Sequence, residues 1–222
     1  MTPAKINEIF RRFAEKQKEP KTELKYVNEY TLLVAVVLSA QQTDVGVNKA
    51  TESLFKIADT PKKMLKLGEE GLKNYIAKIN FFRGKAKNII TLSHILLEKH
   101  NGEVPKTREA LEELPGVGKK TASVILNTLF GEATIAVDTH VFRVANRTGL
   151  VKTTNPHDTQ IALEKKIPAK WKIHAHHWLI LHGRYICVAR KPKCYECLIA
   201  DLCEYRDKNL TPPAAKLKKS PK

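Results

Sequence analysis

Leu114-Pro115-Gly116-Val117-Gly118-Lys119-Lys120-Thr121, with Val137-Asp138-Thr139-His140 further on, is the stretch that decides how this chain folds. Helical periodicity runs into it through Leu111 and Leu114 and resumes beyond it at Ala122, Ile125, Leu126 and Leu129. The pattern predicts a helix, a tight turn, and a second helix beginning at the two lysines. Gly116 and Gly118 admit backbone angles barred to other residues and let a large partner come close. The second helix would offer unpaired backbone N–H groups and the positive end of its dipole at the turn, where phosphate binds readily. A lysine held there, with a carboxylate downstream, places an amine nucleophile beside a phosphate anchor.

The chain has 222 residues, enough for one large domain or two small ones with real cores. Hydrophobic residues make up 42%, so disorder is not the starting expectation. Formal net charge is +16, which points to a polyanionic partner and to nucleic acid first. A basic surface that serves only solubility is the plainer alternative. No signal-type apolar segment opens the sequence, and the longest apolar run, residues 32–38, is too short to cross a bilayer. A cytoplasmic protein with no membrane contact is expected.

Periodicity away from the hairpin is helical throughout. Residues 4–16 place Ile6, Ile9, Phe10 and Phe13 on one face, and residues 30–40 are apolar nearly all round, as in a helix buried within a bundle. Gln41-Gln42-Thr43 interrupts that run, and the pattern resumes over 44–57. Thr60-Pro61 opens another helical region, with short helices expected at 64–67 and 69–77. A helix over 85–100 is stopped by Asn101-Gly102. Further helices are expected from Asp138 to Gly149, from Asn155-Pro156 to about Lys166, and over 174–185. No strand alternation and no repeat is visible, so the fold class is all-α. His176, His177 and His182 fall on the last of these helices and are read as hydrogen-bonded core residues. Residues 211–222 are basic, Pro-containing and poor in large apolar groups, and are expected to be a disordered tail.

All four cysteines lie in one window, Cys187-x6-Cys194-x2-Cys197-x5-Cys203. This crowding suits a metal centre in a reducing compartment better than a disulfide framework. Zinc sites more often come as two C-x2-C pairs, and only one such pair is present. Between the first two cysteines lie Arg190, Lys191 and Lys193, cations that a closed metal loop would hold toward a nucleic-acid backbone, or that simply solvate the loop.

LPGVGKK resembles the hairpin of helix-hairpin-helix DNA repair glycosylases, and VDTH is similar to the segment carrying their essential aspartate. With the 6-2-5 cysteine spacing, the match is to the endonuclease III family, from about Ile6 to about Tyr205. The resemblance implies two helical lobes with a DNA groove between them. One would be a six-helix barrel over 22–132, with the helix-hairpin-helix at about 107–130. The other would be a [4Fe-4S] domain made of 1–21 plus 133–210, with one cluster per chain held by Cys187, Cys194, Cys197 and Cys203.

The two adjacent lysines point about 100° apart on a helix, so only one can serve as nucleophile. The residues leave that choice open. The resemblance assigns the amine to Lys120 and leaves Lys119, with Gly116 and Gly118, to the phosphates. Attack needs a neutral amine, and a free lysine is only about 0.1% neutral near pH 7. Partial burial, the helix N-terminus and Lys119 are each expected to depress its pKa. Asp138 would take up a proton and stabilise charge on the sugar, although its position also suits a plain helix cap.

The implied activity is DNA N-glycosylase on oxidised or ring-saturated pyrimidines, with AP lyase cleavage by β-elimination. The partner would be double-stranded DNA carrying such bases or abasic sites, and the protein would act as a monomer. Gln41 matches the residue that fills the gap left by the extruded base, and Asp44 is near enough to assist. Phe81 stands where the family usually puts an aliphatic wedge; the plainer readings make Phe81 core and Gln41 a polar helix end. Alternatives are a monofunctional adenine-mismatch-type glycosylase, which would lack the lysine at position 120, and a non-enzymatic DNA-binding or redox-sensing iron–sulfur protein.

Overall fold

The structure, a computed structural model, describes residues 1–212. The expected tail therefore lies outside the described residues from Pro213 onward. Among the described residues the helices are α1 (Pro3–Lys16), α2 (Glu29–Ser39), α3 (Asp44–Ile57), α4 (Pro61–Ile76), α5 (Phe82–Lys99), α6 (Arg108–Glu112), α7 (Lys119–Phe130), α8 (Thr139–Thr148), α9 (Pro156–Lys166) and α10 (Ala169–Tyr185), plus a 3-10 turn at Cys194–Glu196. No strand occurs among them, and the fold is all-α. Local chemistry sets the starts. Thr2, Asn28, Thr43, Thr60, Thr107, Asp138 and Asn155 each accept a backbone N–H from the first turn of the helix they precede.

The chain divides into two compact units, residues 21–136 and residues 1–20 together with the segment from Val137 onward. In the first, α2 is buried from Tyr30 through Leu38. Around it pack Val47 and Leu54 of α3, Leu72 and Ile76 of α4, Ile89, Leu92 and Leu96 of α5, and Ile125 and Leu126 of α7. Its polar groups are satisfied inside the core: the Tyr30 hydroxyl lies 2.7 Å from Ser93 Oγ, and burial pushes that phenol above its ordinary range. Gly68, with φ 74° and ψ 169°, interrupts α4, which accounts for the two short helices expected there.

Helix α5 begins at Phe82, three residues before the expected start. That brings Lys85 into its first turn, on the stripe shared with Ile89, Leu92 and Leu96, and makes it a buried residue. Its ammonium donates to the carbonyls of Leu38 (2.9 Å) and Ala40 (2.6 Å) at the C-terminal end of α2. Burial lowers its pKa from the ordinary lysine value, while the cation stands at the favourable end of the α2 dipole.

In the second unit, α1 lays Ile6, Ile9, Phe10 and Phe13 into the core. Phe10 meets Trp178 at 6.1 Å and Phe13 meets His182 at 5.2 Å between ring centroids. Indole N–H groups fix the alignment, Trp178 to Gln17 O at 2.8 Å and Trp171 to Asn7 Oδ1 at 3.0 Å. Arg12 forks onto both carboxylate oxygens of Asp201 (2.7 and 2.9 Å) and reaches Leu198 O (2.8 Å). Helix α10 starts at Ala169, right after Pro168, and not at His174 as periodicity suggested. The added turn brings Trp171 onto the face of Ala175 and Trp178. Gly183 lets α10 approach α8 closely, since a Cβ there would fall 2.9 Å from His140 Cβ.

His176, His177 and His182 are all buried, as expected of core residues. Burial, aided by His176 and His174, holds the His177 imidazole down at about 3. An unfolded histidine titrates near 6.5, so between those values the unfolded chain binds the extra proton and stability falls as pH falls. From pH 7 to pH 5 this one group accounts for a loss of about 2 kcal/mol. Urea unfolding followed by tryptophan fluorescence at the two pH values is expected to show a pH-dependent loss smaller in His177→Gln than in the wild type by about that amount. His182, which burial also lowers to about 4, contributes in both proteins.

Candidate active site and cluster loop

In the 21–136 unit, α6 leads into the glycine turn and α7 leaves it. Val117 N donates to Leu114 O at 3.0 Å, closing the turn. Gly116 sits at φ +84°, and a Cβ on it would stand 3.1 Å from Asn88 Nδ2 and 3.2 Å from Val37 Cγ1. The turn thus rests directly on α5 and α2 and needs both the left-handed backbone and the missing side chain. Gly118 is the N-cap of α7 and supplies no side-chain acceptor; a Cβ there would meet nothing within 4 Å. The first N–H groups of α7 therefore have no side-chain cap and stand at the positive end of its dipole. Arg108 braces the base of the hairpin, donating to Ser123 Oγ (3.1 Å) and Glu112 Oε1 (3.4 Å).

Lys119 and Lys120 are the first two residues of α7, and both are exposed. The partial burial of Lys120 expected from the sequence is absent: its side chain is exposed. Asp138, in the other unit, caps α8: its Oδ1 accepts from His140 N (2.9 Å) and Val141 N (2.8 Å). Capping occupies one carboxylate oxygen and leaves Oδ2 outside those bonds. A cap and a catalytic carboxylate are therefore compatible in one side chain.

Gln41 and Phe81 project from two turns of the 21–136 unit. Both have left-handed backbones, φ 53° and 58°. Phe81 is 69% exposed, which removes it from the core. Asp44 is the first residue of α3, half-buried behind the Thr43 cap.

The four cysteines line one cavity together with His182, Ile186, Pro192 and Tyr205. Four sulfur donors spread around a shared, largely apolar space suit a polynuclear iron–sulfur group. Burial pushes the Cys197 thiol up to about 11 and raises Cys203 as well. Thiolates there need iron to displace their protons, which couples cluster loading to proton release. Two arginines one turn apart on α8 secure the loop. Arg143 donates to Cys187 O (2.9 Å) and Gly183 O (2.7 Å). Arg147 donates to Val188 O and Ala189 O (2.8 Å each) and lies over the Tyr205 ring at 4.8 Å. Arg190, Lys191 and Lys193 are exposed on that loop, beside the buried Pro192. Lys193 has a loose ion pair with Glu196 at 3.9 Å. Sequence reasoning missed Arg143 and Arg147, although their i, i+4 spacing opposite Val141, Val144 and Ala145 placed them on one stripe.

A glycine hairpin opening an uncapped helix, with four clustered cysteines in the same chain, defines a class that known relatives make specific. Residues 34–169 match the HhH-GPD superfamily base excision DNA repair protein profile. Residues 187–203 match the iron–sulfur binding domain of endonuclease III. Endonuclease III of Escherichia coli (strain K12) is 56% identical over 208 residues, covering 94% of this chain and 99% of that one. Endonuclease III of Rickettsia conorii is 58% identical over 200 residues, covering 90% and 95%. The solved structure of a trapped endonuclease III–DNA covalent intermediate, an estranged-adenine complex, superposes with a TM-score of 0.84 at 41% identity, over 92% of this chain and 96% of that one. The chain belongs to the endonuclease III family. It is a base excision repair enzyme, a DNA glycosylase with AP lyase activity, and carries a [4Fe-4S] cluster.

Gly116→Ala tests the seating of the hairpin. The added methyl meets Val37 and Asn88 and forces an L-residue into a left-handed angle, so the variant is expected to lose about 1–3 kcal/mol. Denaturant midpoints of the two proteins measure it.

Proposed function

We propose that this enzyme removes oxidised or ring-saturated pyrimidines from double-stranded DNA through a Schiff base on Lys120, then cleaves the strand 3′ to the site. The observation that carries most weight is the open, uncapped start of α7 with Lys120 exposed in its first turn. A phosphate seated on the free N–H groups and Lys119 would hold the sugar beside Lys120 Nζ. Because Lys120 is exposed in the free chain, its desolvation would have to come from the DNA that covers it. Asp138, with Oδ1 fixed in the cap and Oδ2 outside it, supplies a carboxylate to accept a proton from the attacking amine and to stabilise charge at C1′.

In the first stage the amine lone pair forms the N–C1′ bond, and the base leaves with the electrons of its glycosidic bond and takes a proton. Opening of the sugar ring gives a protonated imine. Loss of a proton from C2′ then drives electrons toward C3′, and the C3′–O bond breaks with the phosphate as leaving group. Damaged bases that stack poorly are easier to extrude, which provides part of the selectivity. Gln41 would enter the vacated space and Phe81 would wedge the opposite strand, with Asp44 close to the Gln41 turn. Gly116 and Gly118 give the backbone its close approach to phosphate. Arg190, Lys191 and Lys193 would bear on the DNA backbone from the loop that Cys187, Cys194, Cys197 and Cys203 close around the cluster. The bound cluster supplies a rigid scaffold for that loop. Monomeric action in the cytoplasm, beside the nucleoid, fits a single set of these residues per chain. No described helix is long and apolar enough to cross a membrane.

Borohydride reduction on abasic-site DNA is expected to trap a covalent protein–DNA adduct with the wild type. Lys120→Ala is expected to lose trapping while retaining binding. Undiminished trapping in that variant would move the nucleophile to Lys119, and free base with an intact strand as sole products would exclude the imine route. Binding to undamaged duplex should also weaken about tenfold or more over a fourfold rise in salt, given the +16 net charge and several phosphate contacts. Filter binding or anisotropy at two salt concentrations checks it.

A further inference from the structure

Two stretches of the 21–136 unit, residues 38–42 and 78–85, are tied to each other at both ends. At one end, Lys85 Nζ donates to the carbonyls of Leu38 and Ala40 at 2.9 and 2.6 Å. At the other, Asn80 Nδ2 donates to Gln41 O at 2.8 Å, and Gln42 Nε2 donates to Lys78 O at 3.2 Å. Between these braces Gln41 and Phe81 both occupy left-handed backbone angles that L-residues seldom adopt. Neither is glycine, so something outside the residue must hold the angle. The Gln41 carbonyl lies beyond the last turn of α2, which ends at Ser39, and the Asn80 side-chain amide donates to it.

We infer that Asn80 is a positioning residue, which fixes the Gln41 turn against the Phe81 turn so that the two side chains enter the duplex as one preformed unit. The inference rests on the roles proposed above for Gln41 and Phe81. Its physical basis is pre-organisation. Two independent loops would each lose conformational freedom on entering DNA, whereas a pair already fixed loses little, and the difference appears as affinity for DNA whose stack has been opened. Lys85 is the buried footing and Asn80 the exposed latch. Asn80 itself touches neither sugar nor phosphate; it acts through the backbone of Gln41. Undamaged duplex, held by phosphate contacts alone, should not sense the latch.

Asn80→Ala removes the donor at an exposed position, so the fold should survive. Affinity is measured for two duplexes, one undamaged and one containing a tetrahydrofuran abasic analogue, with 2-aminopurine opposite the analogue to report entry of a side chain. The expected result is a loss of roughly three- to tenfold on the analogue duplex with a smaller 2-aminopurine change, and less than about twofold loss on undamaged duplex. In a Gln41→Ala background, Asn80→Ala should cost little more, because the side chain it positions is gone. Equal affinity of Asn80→Ala and wild type for the analogue duplex overturns the inference. So do equal losses on both duplexes, which would mark a merely structural role, and full additivity with Gln41→Ala. If the wild type itself has no preference for the analogue duplex, the proposed function fails first, and that result is distinct from any of these.

Discussion

From Leu32 to Leu38 helix α2 is apolar on every side, and burying that stretch is the constraint on which the 21–136 unit is built. The carbonyls of its last turn have no partner further along the helix and need donors supplied around them. Lys85 meets that need at Leu38 and Ala40. The same helix offers Val37 as the floor beneath Gly116. One buried element thus fixes the level of the glycine hairpin and the point from which the Gln41 turn departs. Positions that face DNA in the proposed mechanism inherit their precision from a core that never meets it.

The second unit solves a different problem, how to shape a loop that has little apolar content of its own. Between Cys187 and Cys203 only Pro192 and Ile199 are buried. Order comes from α8 instead, through Arg143 and Arg147, which direct their donors onto backbone carbonyls of residues 183, 187, 188 and 189. Asp138 caps the same helix at its start. One helix of ten residues therefore carries both arginines and is capped by the carboxylate.

Much of this was legible because its causes are local. Glycines at 116 and 118, the helix starts at Thr60-Pro61 and Asn155-Pro156, the division between 64–67 and 69–77 and the cysteine spacing each act over a few residues. What escaped depends on partners distant in the chain. Lys85 looks like a solvated helix start until α5 is seen to begin at Phe82. Phe81 reads in sequence as either a wedge or a core residue, and only the left-handed turn decides for exposure. The first turn of α10 was hidden because Ala169 to Ile173 carries two lysines, and only Trp171, meeting Asn7 from the far end of the chain, shows why it is helical. Partial burial of Lys120 is expected from the sequence, yet its side chain is exposed, and no neighbouring residue in the sequence signals that.

The unit formed by the two ends of the chain carries a consequence for biosynthesis. Arg12 and Asp201 are 189 positions apart, and Trp171 and Asn7 are 164 apart. During translation α1 leaves the ribosome with its apolar stripe bare and has no lasting partner until α10 follows. The intervening residues 21–136, a compact unit with a core of their own, can close in the meantime. Late closure of a long loop is slow, so the apolar stripe of the nascent N-terminal helix stays uncovered until the last part of the chain has been made.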